Sequence, residues 1–413
     1  MTKQAAAATP NRMPETIPAW MILLLATACG LIVANLYYAQ PLIGLIAPAV
    51  GLAPAAASLI VTLSQLGYCA GLVLLVPLGD LVENRRLTLL TLGGVILALL
   101  MAATAPSAAW FLAASLAIGL GSVAVQMLVP LAAHLAPDAI RGRVVGNVMG
   151  GLLLGLMLAR PVASLVADDL GWRFLFGAAA VVMAGLTAIL RLLLPQRHPA
   201  ATDSYATLIG SLWTLLRRTP VLRRRAAYQA SLFAAFSLFW SAVPLELAGP
   251  QFRLTQRGIA LFALAGAAGA IAAPIAGRIA DRGWSRITTG ASLALVAAAF
   301  LLAWLSRGSV VVLATAGVLL DFGVQSNLVL GQRAIYALGA ETRSRLNGIY
   351  MAIFFGGGAI GSAVASLAYA RGGWVLVSRI GLAIPIAALL LYATEFIRPV
   401  RPRLGRPRLG RHE

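Results

Sequence analysis

The feature that most constrains this chain is where its charges are missing. From Thr16 to Gly79 there is no Asp, Glu, Lys or Arg, and from Leu87 to Pro137 there is again none. A helix advances about 1.5 Å per residue, so each run can cross a ~30 Å hydrocarbon layer twice with a tight turn between. Uncharged or nearly uncharged runs follow at 144–167, 174–190, 226–245, 258–277, 287–306, 308–332, 346–370 and 380–394. Soluble proteins carry about 25% charged residues, whereas this chain is 60% apolar and only 11% charged. Backbone groups in lipid must be paired within a helix or around a closed barrel. The runs are uniformly apolar rather than alternating, which predicts helices. Twelve fit, so the expected class is an all-α membrane protein.

The net charge of +19 could suggest nucleic acid, but its distribution argues for a membrane. With both termini on one side of twelve spans, that side collects 25 of the 32 Lys and Arg. By the positive-inside rule both termini are then cytoplasmic, in an inner or plasma membrane. The tail VRPRLGRPRLGRHE reads as a topology signal facing anionic lipid rather than as a nucleic-acid arm. Cys29 and Cys69 lie in apolar runs without ligand spacing and read as small core residues. No metal or cofactor site is expected, because the three His, at 134, 198 and 412, are scattered. The sequence contains no P-loop, no HExxH and no Ser–His–Asp grouping, so an enzyme or sensor is the weaker expectation.

The two halves are related. RGRVVGNVMGGLLLGLMLARPVASLVADDLGW (141–172) aligns without a gap on RSRLNGIYMAIFFGGGAIGSAVASLAYARGGW (343–374), an offset of 202 throughout. At the same offset NLYY (35–38) meets SLFW (237–240) and Pro48 meets Pro250. Six helices per repeat preserve orientation, so the repeat is parallel, with its axis along the membrane normal. The expected units are a six-helix bundle over 1–194, a cytoplasmic linker over 195–225, a second bundle over 226–397 and a basic tail over 398–413. Within the linker, SYATLIGSLWTLLRR (204–218) places Leu208, Leu212, Leu215 and Leu216 on one helical face. That predicts an amphipathic helix on the cytoplasmic leaflet, or else an ordinary tether.

PLGDLVENRR (77–86) and AGRIADRGWSR (276–286) each set an acid, Asp80 and Asp281, at a helix end with Arg a few residues on. The second, Gly277-x-x-x-Asp281-Arg282-Gly283, resembles the loop signature of the major facilitator superfamily, Gly-x-x-x-Asp-Arg-x-Gly followed by basic residues. The first copy departs from it, with Val76 for the leading Gly and Leu81 for the Arg, but keeps Arg85 and Arg86. The resemblance covers the whole chain. It implies two six-helix bundles rocking about a central cavity that one chain completes, hence a monomer. It also implies a cytoplasmic charge latch of Asp80 with Arg141 or Arg143, and Asp281 with Arg343 or Arg345, with Arg85, Arg86, Arg282 and Arg286 in the same gate. A carboxylate at a helix end can accept bonds from Arg and from free amides at a helix N-terminus; solvated surface charge is the alternative. In the drug–proton antiporter branch helix 5 ends its Gly-rich signature in Gly-Pro. Here Gly146 and Gly155 keep the spacing, Ala159-Arg160-Pro161 replaces the end, and the Arg often found in helix 4 is missing. ANLYYAQPL in helix 1 is similar to a group of bacterial exporters.

Between Gly308 and Gln332 the one charge is Asp321. A carboxylate at mid-membrane costs at least about 2.5 kcal/mol, unless it faces water, meets a cation or takes up a proton. Each escape points to transport. The resemblance implies that helices 1, 4, 7 and 10 line the cavity. Asp321 then stands on helix 10 with Gln325 one turn away and Asn327 adjacent. Helix 1 offers Asn35, Tyr37, Tyr38 and Gln40; helix 4 offers Gln126; helix 7 offers Phe239, Trp240 and Glu246. The aromatic residues either stack on substrate or only pack. Gln126 and Gln325 either bind substrate or bond neighbouring helices, and Glu246 is either a proton site or an interfacial charge. Arg160 stays charged. It pairs with Asp321 or Asp168, binds an anionic substrate, or repels a proton-bearing competitor. The expected function is proton-coupled efflux of small amphiphilic molecules, with Asp321 as the main proton carrier and Glu246 as the second candidate. The alternative is proton-linked import of an organic anion on Arg160.

Overall fold

The computed structural model describes residues 17–137, 140–196, 204–267, 272–306, 308–339 and 342–397. Among them nine helices are individually long and apolar enough to cross a bilayer. Two further crossings, each described as a pair of shorter helices, and the division of the last long helix bring the crossings among the described residues to twelve. The first crossing is α1 (Ala19–Ala34) and α2 (Ile43–Ala49), joined through a turn in which Pro41 withholds an N–H. Asn35 closes the end of α1 by donating to the carbonyls of Leu31 and Ile32 at 3.1 and 3.2 Å. The eighth crossing is described over α11 (Gln256–Ala267) and α12 (Ala272–Asp281). The last two run together as α15 (Arg343–Ile397), broken at Gly372 and Gly373.

The remaining crossings are α3 (Leu59–Leu74), α4 (Asn84–Ala103), α5 (Ala108–Ser122) with α6 (Val125–Leu135), α7 (Arg141–Leu170) and α8 (Trp172–Leu193) in the first half. The second half supplies α10 (Pro220–Ala248), α13 (Ser285–Trp304) and α14 (Val310–Tyr336). Polar side chains cap two of them, Glu83 on α4 and Ser309 on α14. Glu83 accepts from the amides of Arg85 and Arg86 at 2.8 Å each at the head of α4, meeting donors the helix itself cannot satisfy.

Leu23, Val181, Leu192 and Val311 are 68%, 72%, 80% and 75% exposed. Contiguous apolar exposure on this scale is a liability in water and suits a hydrocarbon solvent, so this is a multi-pass membrane protein.

The repeat reappears in the backbone. Gly171 between α7 and α8 has φ 84°, and Gly373 at the break in α15 has φ 57°. Both lie in the left-handed region that glycine enters without a Cβ clash, and they are counterparts at the offset of 202. Two six-helix bundles, α1–α8 and α10–α15, face each other in the major facilitator arrangement. They touch along α3 and the first limb of α15. There Ser58 and Ser366 each donate a backbone N–H to the other's hydroxyl at 2.9 and 3.1 Å, and the Thr62 and Ser362 hydroxyls meet at 3.0 Å. They also touch where Arg257 of α11 pairs with Asp168 at 2.9 Å and Asp169 at 2.6 Å on α7. Within the first bundle, α1 and α7 come together backbone on backbone. A Cβ on Gly155 would meet the carbonyl of Gly30.

The loops holding Asp80, Arg85, Arg141, Arg282 and Arg343 define a basic end of the bundle pair; Arg257, Asp168 and Asp169 define the far end. The linker does form a helix, α9 (Tyr205–Arg218), capped by Ser204. Its leucine face is turned onto protein: Leu208 is buried, and Leu212, Leu215 and Leu216 pack against Leu222, Leu346 and Tyr350. Tyr205 Oη donates to the Leu74 carbonyl at 2.9 Å, and Arg345 Nη1 donates to Ser211 Oγ at 3.3 Å. The helix therefore ties both halves together at the basic end, and its outer face carries exposed Trp213 with Arg217 stacked over it at 4.5 Å.

Candidate functional site

The centre of the interface is built on α7, α10 and α14. Arg160 of α7 is buried inside the bundle, 4% exposed. The guanidinium donates through Nε to Gln40 Oε1 at 2.8 Å. Its planar face lies 4.4 Å from the Trp240 ring, 5.0 Å from Phe236 and 5.2 Å from Tyr37. Three rings around one cation form a cage in which cation–π attraction is strongest, because water is excluded. Gln40 Nε2 continues the chain to Ser241 Oγ of the other half at 3.4 Å.

Asp321, 7% exposed, completes the cluster from α14. Its Oδ1 accepts the Trp240 indole N–H at 2.8 Å. Among the described residues Arg160 and Asp321 make no direct ion pair. Trp240 stands between them, giving its N–H edge to the acid and its face to the cation. Gly266 of α11 makes room for this: a Cβ there would lie 2.5 Å from the Trp240 ring and 3.1 Å from Asp321 Oδ2. Arg160 with Gln40 belongs to one bundle, Trp240 and Asp321 to the other, so the cluster fastens the halves together.

A cavity of about 250 Å³ lies next to it, toward the basic end. Tyr37, Phe236 and Val33 close its inner end; Val145, Tyr336 and Asn347 line it within about a turn of the helix ends that carry Arg141 and Arg343. One wall is aliphatic, made by Met149, Leu152, Leu153 and Leu156 of α7. The opposite wall is aromatic. Phe233 and Phe354 stack at 3.8 Å, Phe233 and Phe236 at 5.1 Å, and Tyr68 lies 4.2 Å from Phe355. Gln126, Gln325, Gln332 and Asn347 supply polar groups. Gln126 donates to Tyr68 Oη at 3.1 Å, while Tyr336 and Gln332 both donate to Asn347 Oδ1, at 2.9 and 3.3 Å.

The structure gathers some of the residues singled out from the sequence and separates others. Tyr37, Gln126 and Gln325 line the cavity; Gln40, Arg160, Trp240 and Asp321 form the cluster at its closed end. Asn327 faces instead into the second bundle, donating to Gln229 Oε1 at 2.7 Å. Asn35 bonds its own helix, and Phe239 packs against Phe300 and Trp374 in the second bundle. Tyr38 faces an outer groove between α1 and α7. Glu246 sits near the far end of α10, accepting from Tyr369 Oη at 3.0 Å, apart from the cavity. These displacements follow helical rotation: neighbours in sequence point about 100° apart, so Tyr38 and Phe239 turn away from the cavity that their neighbours Tyr37 and Trp240 approach.

At the basic end Asp80 lies apart from Arg141 and Arg143. It shares a cleft of about 30 Å³ with Ser344, Arg345 and Gly348 of the other half, at the start of α15, and with Leu208 and Leu212 of α9. The pairing of Asp80 with its own half is thus replaced by a position near a helix N-terminus across the interface, where the backbone dipole favours an anion. Arg141 donates to the Ala133 carbonyl at 2.9 Å and Arg343 to that of Tyr336 at 3.1 Å, each holding its own loop. Arg85 donates to the Leu194 carbonyl at 3.4 Å and Arg286 to that of Glu395 at 2.9 Å, while Arg86, Arg143 and Arg282 are exposed. The side chain of Asp281 and the tail 398–413 lie outside the described residues.

Sequence reasoning did not single out Phe233, Phe236, Phe354, Phe355 or Tyr68. A ring facing a cavity and a ring facing lipid look alike in sequence. The one available signal was the i, i+3, i+7 spacing of Phe233, Phe236 and Trp240, which sets them on one face of α10.

Comparison with known proteins agrees with this architecture. The family model described as Major Facilitator Superfamily matches residues 22–327 and 228–412. The chain is 42% identical over 393 residues to a protein of Escherichia coli O157:H7 named uncharacterized transporter YgaY, covering 94% of this chain and 98% of that protein. It is 35% identical over 360 residues to the Streptomyces coelicolor protein named probable transporter SCO4007, covering 85% and 82%. Among solved structures, a point mutant of the nucleoside transporter NupG superposes with a TM-score of 0.73 at 16% identity, covering 91% of this chain and all of that one. The human organic anion transporter MFSD10 gives 0.65 at 20% identity, with 91% and 100% covered. At such identities the two structures speak for the fold alone.

Proposed function

The chain belongs to the major facilitator superfamily, and from that premise we propose that it is a proton-coupled exporter of small amphiphilic molecules, with Asp321 as the group that carries the proton. The observation that carries the reading is the position of Asp321: an acid buried between two bundles, one helical turn beyond the cavity-lining Gln325, held by Trp240 and facing the field of Arg160. The relatives are named as transporters, which favours transport over catalysis.

In this reading the basic end is cytoplasmic, in the inner membrane, and one chain is the working unit. The second bundle begins with α10 at Pro220 rather than at 226, so residues 17–194 and 220–397 move as the two bundles and the stretch between them is the tether. The conformation described here is closed at the far end by the Arg160 cluster and by Arg257 with Asp168 and Asp169. Its cavity runs toward the basic end. Rocking that opens the far end exposes Asp321 to the outside, where it takes up a proton. Neutralising the acid lowers the cost of closing low-dielectric surroundings around it. Return to the present conformation releases the proton inward, and each proton is driven by about 2.3 kcal/mol per 100 mV of membrane potential plus the pH gradient.

The test is Asp321→Asn in inverted vesicles. Gradient-driven substrate uptake should vanish, while exchange without a gradient persists. Uptake equal to wild type refutes the assignment. One observation favours the organic-anion importer: Arg160 Nη2 is buried without a hydrogen-bond partner. Imposing pH gradients of opposite sign separates the readings, since an exporter in inverted vesicles and an importer accumulate solute under opposite gradients.

A further inference from the structure

The chemistry of the cavity wall narrows the substrate. Among the described residues that line it, none is Asp, Glu, Lys, Arg or His. The two nearest buried charges, Arg160 and Asp321, do not touch it. Arg160 lies behind Tyr37 and Phe236 and donates to Gln40 through Nε, Asp321 accepts from Trp240, and the two are opposite in sign. An ion moved into such a space loses its hydration and meets no countercharge, which is unfavourable. An uncharged solute escapes that penalty.

Shape comes from the facing walls. The stack of Phe233 on Phe354 and the ring of Phe355 present aromatic surface across from the aliphatic Leu152 and Leu156. A flat ring between them extends an offset or edge-on aromatic arrangement. Polarity comes from the amides. Gln325 is partly exposed within the cavity, and among the described residues its carboxamide has no hydrogen-bond partner. Gln126 commits its N–H to Tyr68 and keeps its carbonyl. A carboxamide presents one acceptor and two donors side by side, so its complement is a group with an adjacent donor and acceptor. The size is modest: about 250 Å³ is the space of roughly eight waters at ~30 Å³ each.

We propose that the substrate is an uncharged, planar aromatic compound with an amide-like hydrogen-bonding edge, stacked on the Phe233–Phe354–Phe355 wall and read by the Gln325 carboxamide. This rests on taking the cavity as the transport site, but not on proton coupling or direction.

The experiment is equilibrium binding to the purified full chain in nanodiscs, at one pH and with no gradient. The probe is radiolabelled 2-naphthamide, competed by 2-naphthoate, 2-naphthamidine and 2-methylnaphthalene. These share a ring system and differ in charge and edge. The amide should bind saturably, and the anion and the cation should each compete at least tenfold less well. Gln325→Leu should weaken the amide by about five- to tenfold, the scale of one neutral hydrogen bond, and leave 2-methylnaphthalene unchanged. Gln325→Glu, nearly isosteric, should reverse the order and favour the amidinium; it also decides the matter if Gln325→Leu lowers the melting temperature. The proposal is overturned by no saturable amide binding, by a charged probe equal to the amide in wild type, or by variants that melt like wild type with unchanged preference. Because no gradient is present, those results leave the role of Asp321 standing, and a failed Asp321→Asn transport test leaves this one standing.

Discussion

Arg160 and Asp321 are opposite charges separated by Trp240, and a double-mutant cycle across them tests the central cluster. Coulomb's law at an effective dielectric of about 20 gives about 4 kcal/mol for unit charges 4 Å apart and about 2 kcal/mol at twice that distance. The pair is beyond salt-bridge range but still interacts electrostatically, so about 2–3 kcal/mol of coupling is expected. Arg160→Met removes the cation and the 2.8 Å bond to Gln40. Leaving the buried carboxylate uncompensated should cost about 3–5 kcal/mol. Asp321→Asn keeps the shape and an acceptor for the Trp240 N–H, yet strands Arg160, and should cost about 2–3 kcal/mol. In the Arg160→Met background the same Asp321→Asn change should be close to neutral, because the cation it would strand is gone, and the difference between the two backgrounds is the coupling. The assay is reversible denaturation in detergent at pH 8 of wild type, both single variants and the double variant. Penalties that simply add, within about 0.5 kcal/mol, would refute the view that the two residues hold each other as charges.

Other parts of the structure give simpler expectations. Gly155→Ala should destabilise by about 1–3 kcal/mol through overpacking, since its Cβ meets the Gly30 backbone; Gly146→Ala, with open space around it, should be neutral or slightly stabilising in thermal melts. Leu208→Asp buries a charge under α9 and should detach that helix, seen as faster trypsin cleavage between 195 and 225; an unchanged rate would mean that α9 does not tie the halves. Asp168→Asn with Asp169→Asn removes both partners of Arg257 at the far end. A cysteine placed at Val243 should then react faster with a membrane-impermeant thiol reagent, and wild-type reactivity would show that these pairs do not hold the far end closed.

Much of the fold was legible because lipid imposes a simple rule. A long charge-free run such as 16–79 must cross as helix, because each backbone group in lipid needs a partner within its own segment. The repeat was legible for a related reason: Gly171 and Gly373 need the same left-handed backbone, and no other residue type serves as well. The site was only half legible. Asp321 and Arg160 stood out because a charge in lipid is costly wherever it points. Phe354 and Phe355 did not stand out, since an aromatic ring is at home in lipid, core or cavity alike.

By itself, then, the sequence determined how many times the chain crosses the membrane, which pieces are copies, and which two buried charges needed an explanation. Only the tertiary structure decided that Trp240 comes between those charges, that Asp80 reaches across to the other half near Arg345, and that the cavity wall carries no ionised group among the described residues. Composition fixes the solvent a helix must face. Its rotation and its neighbours are set by close contacts between residues about two hundred positions apart, such as Gln40 with Ser241, and no local pattern encodes those.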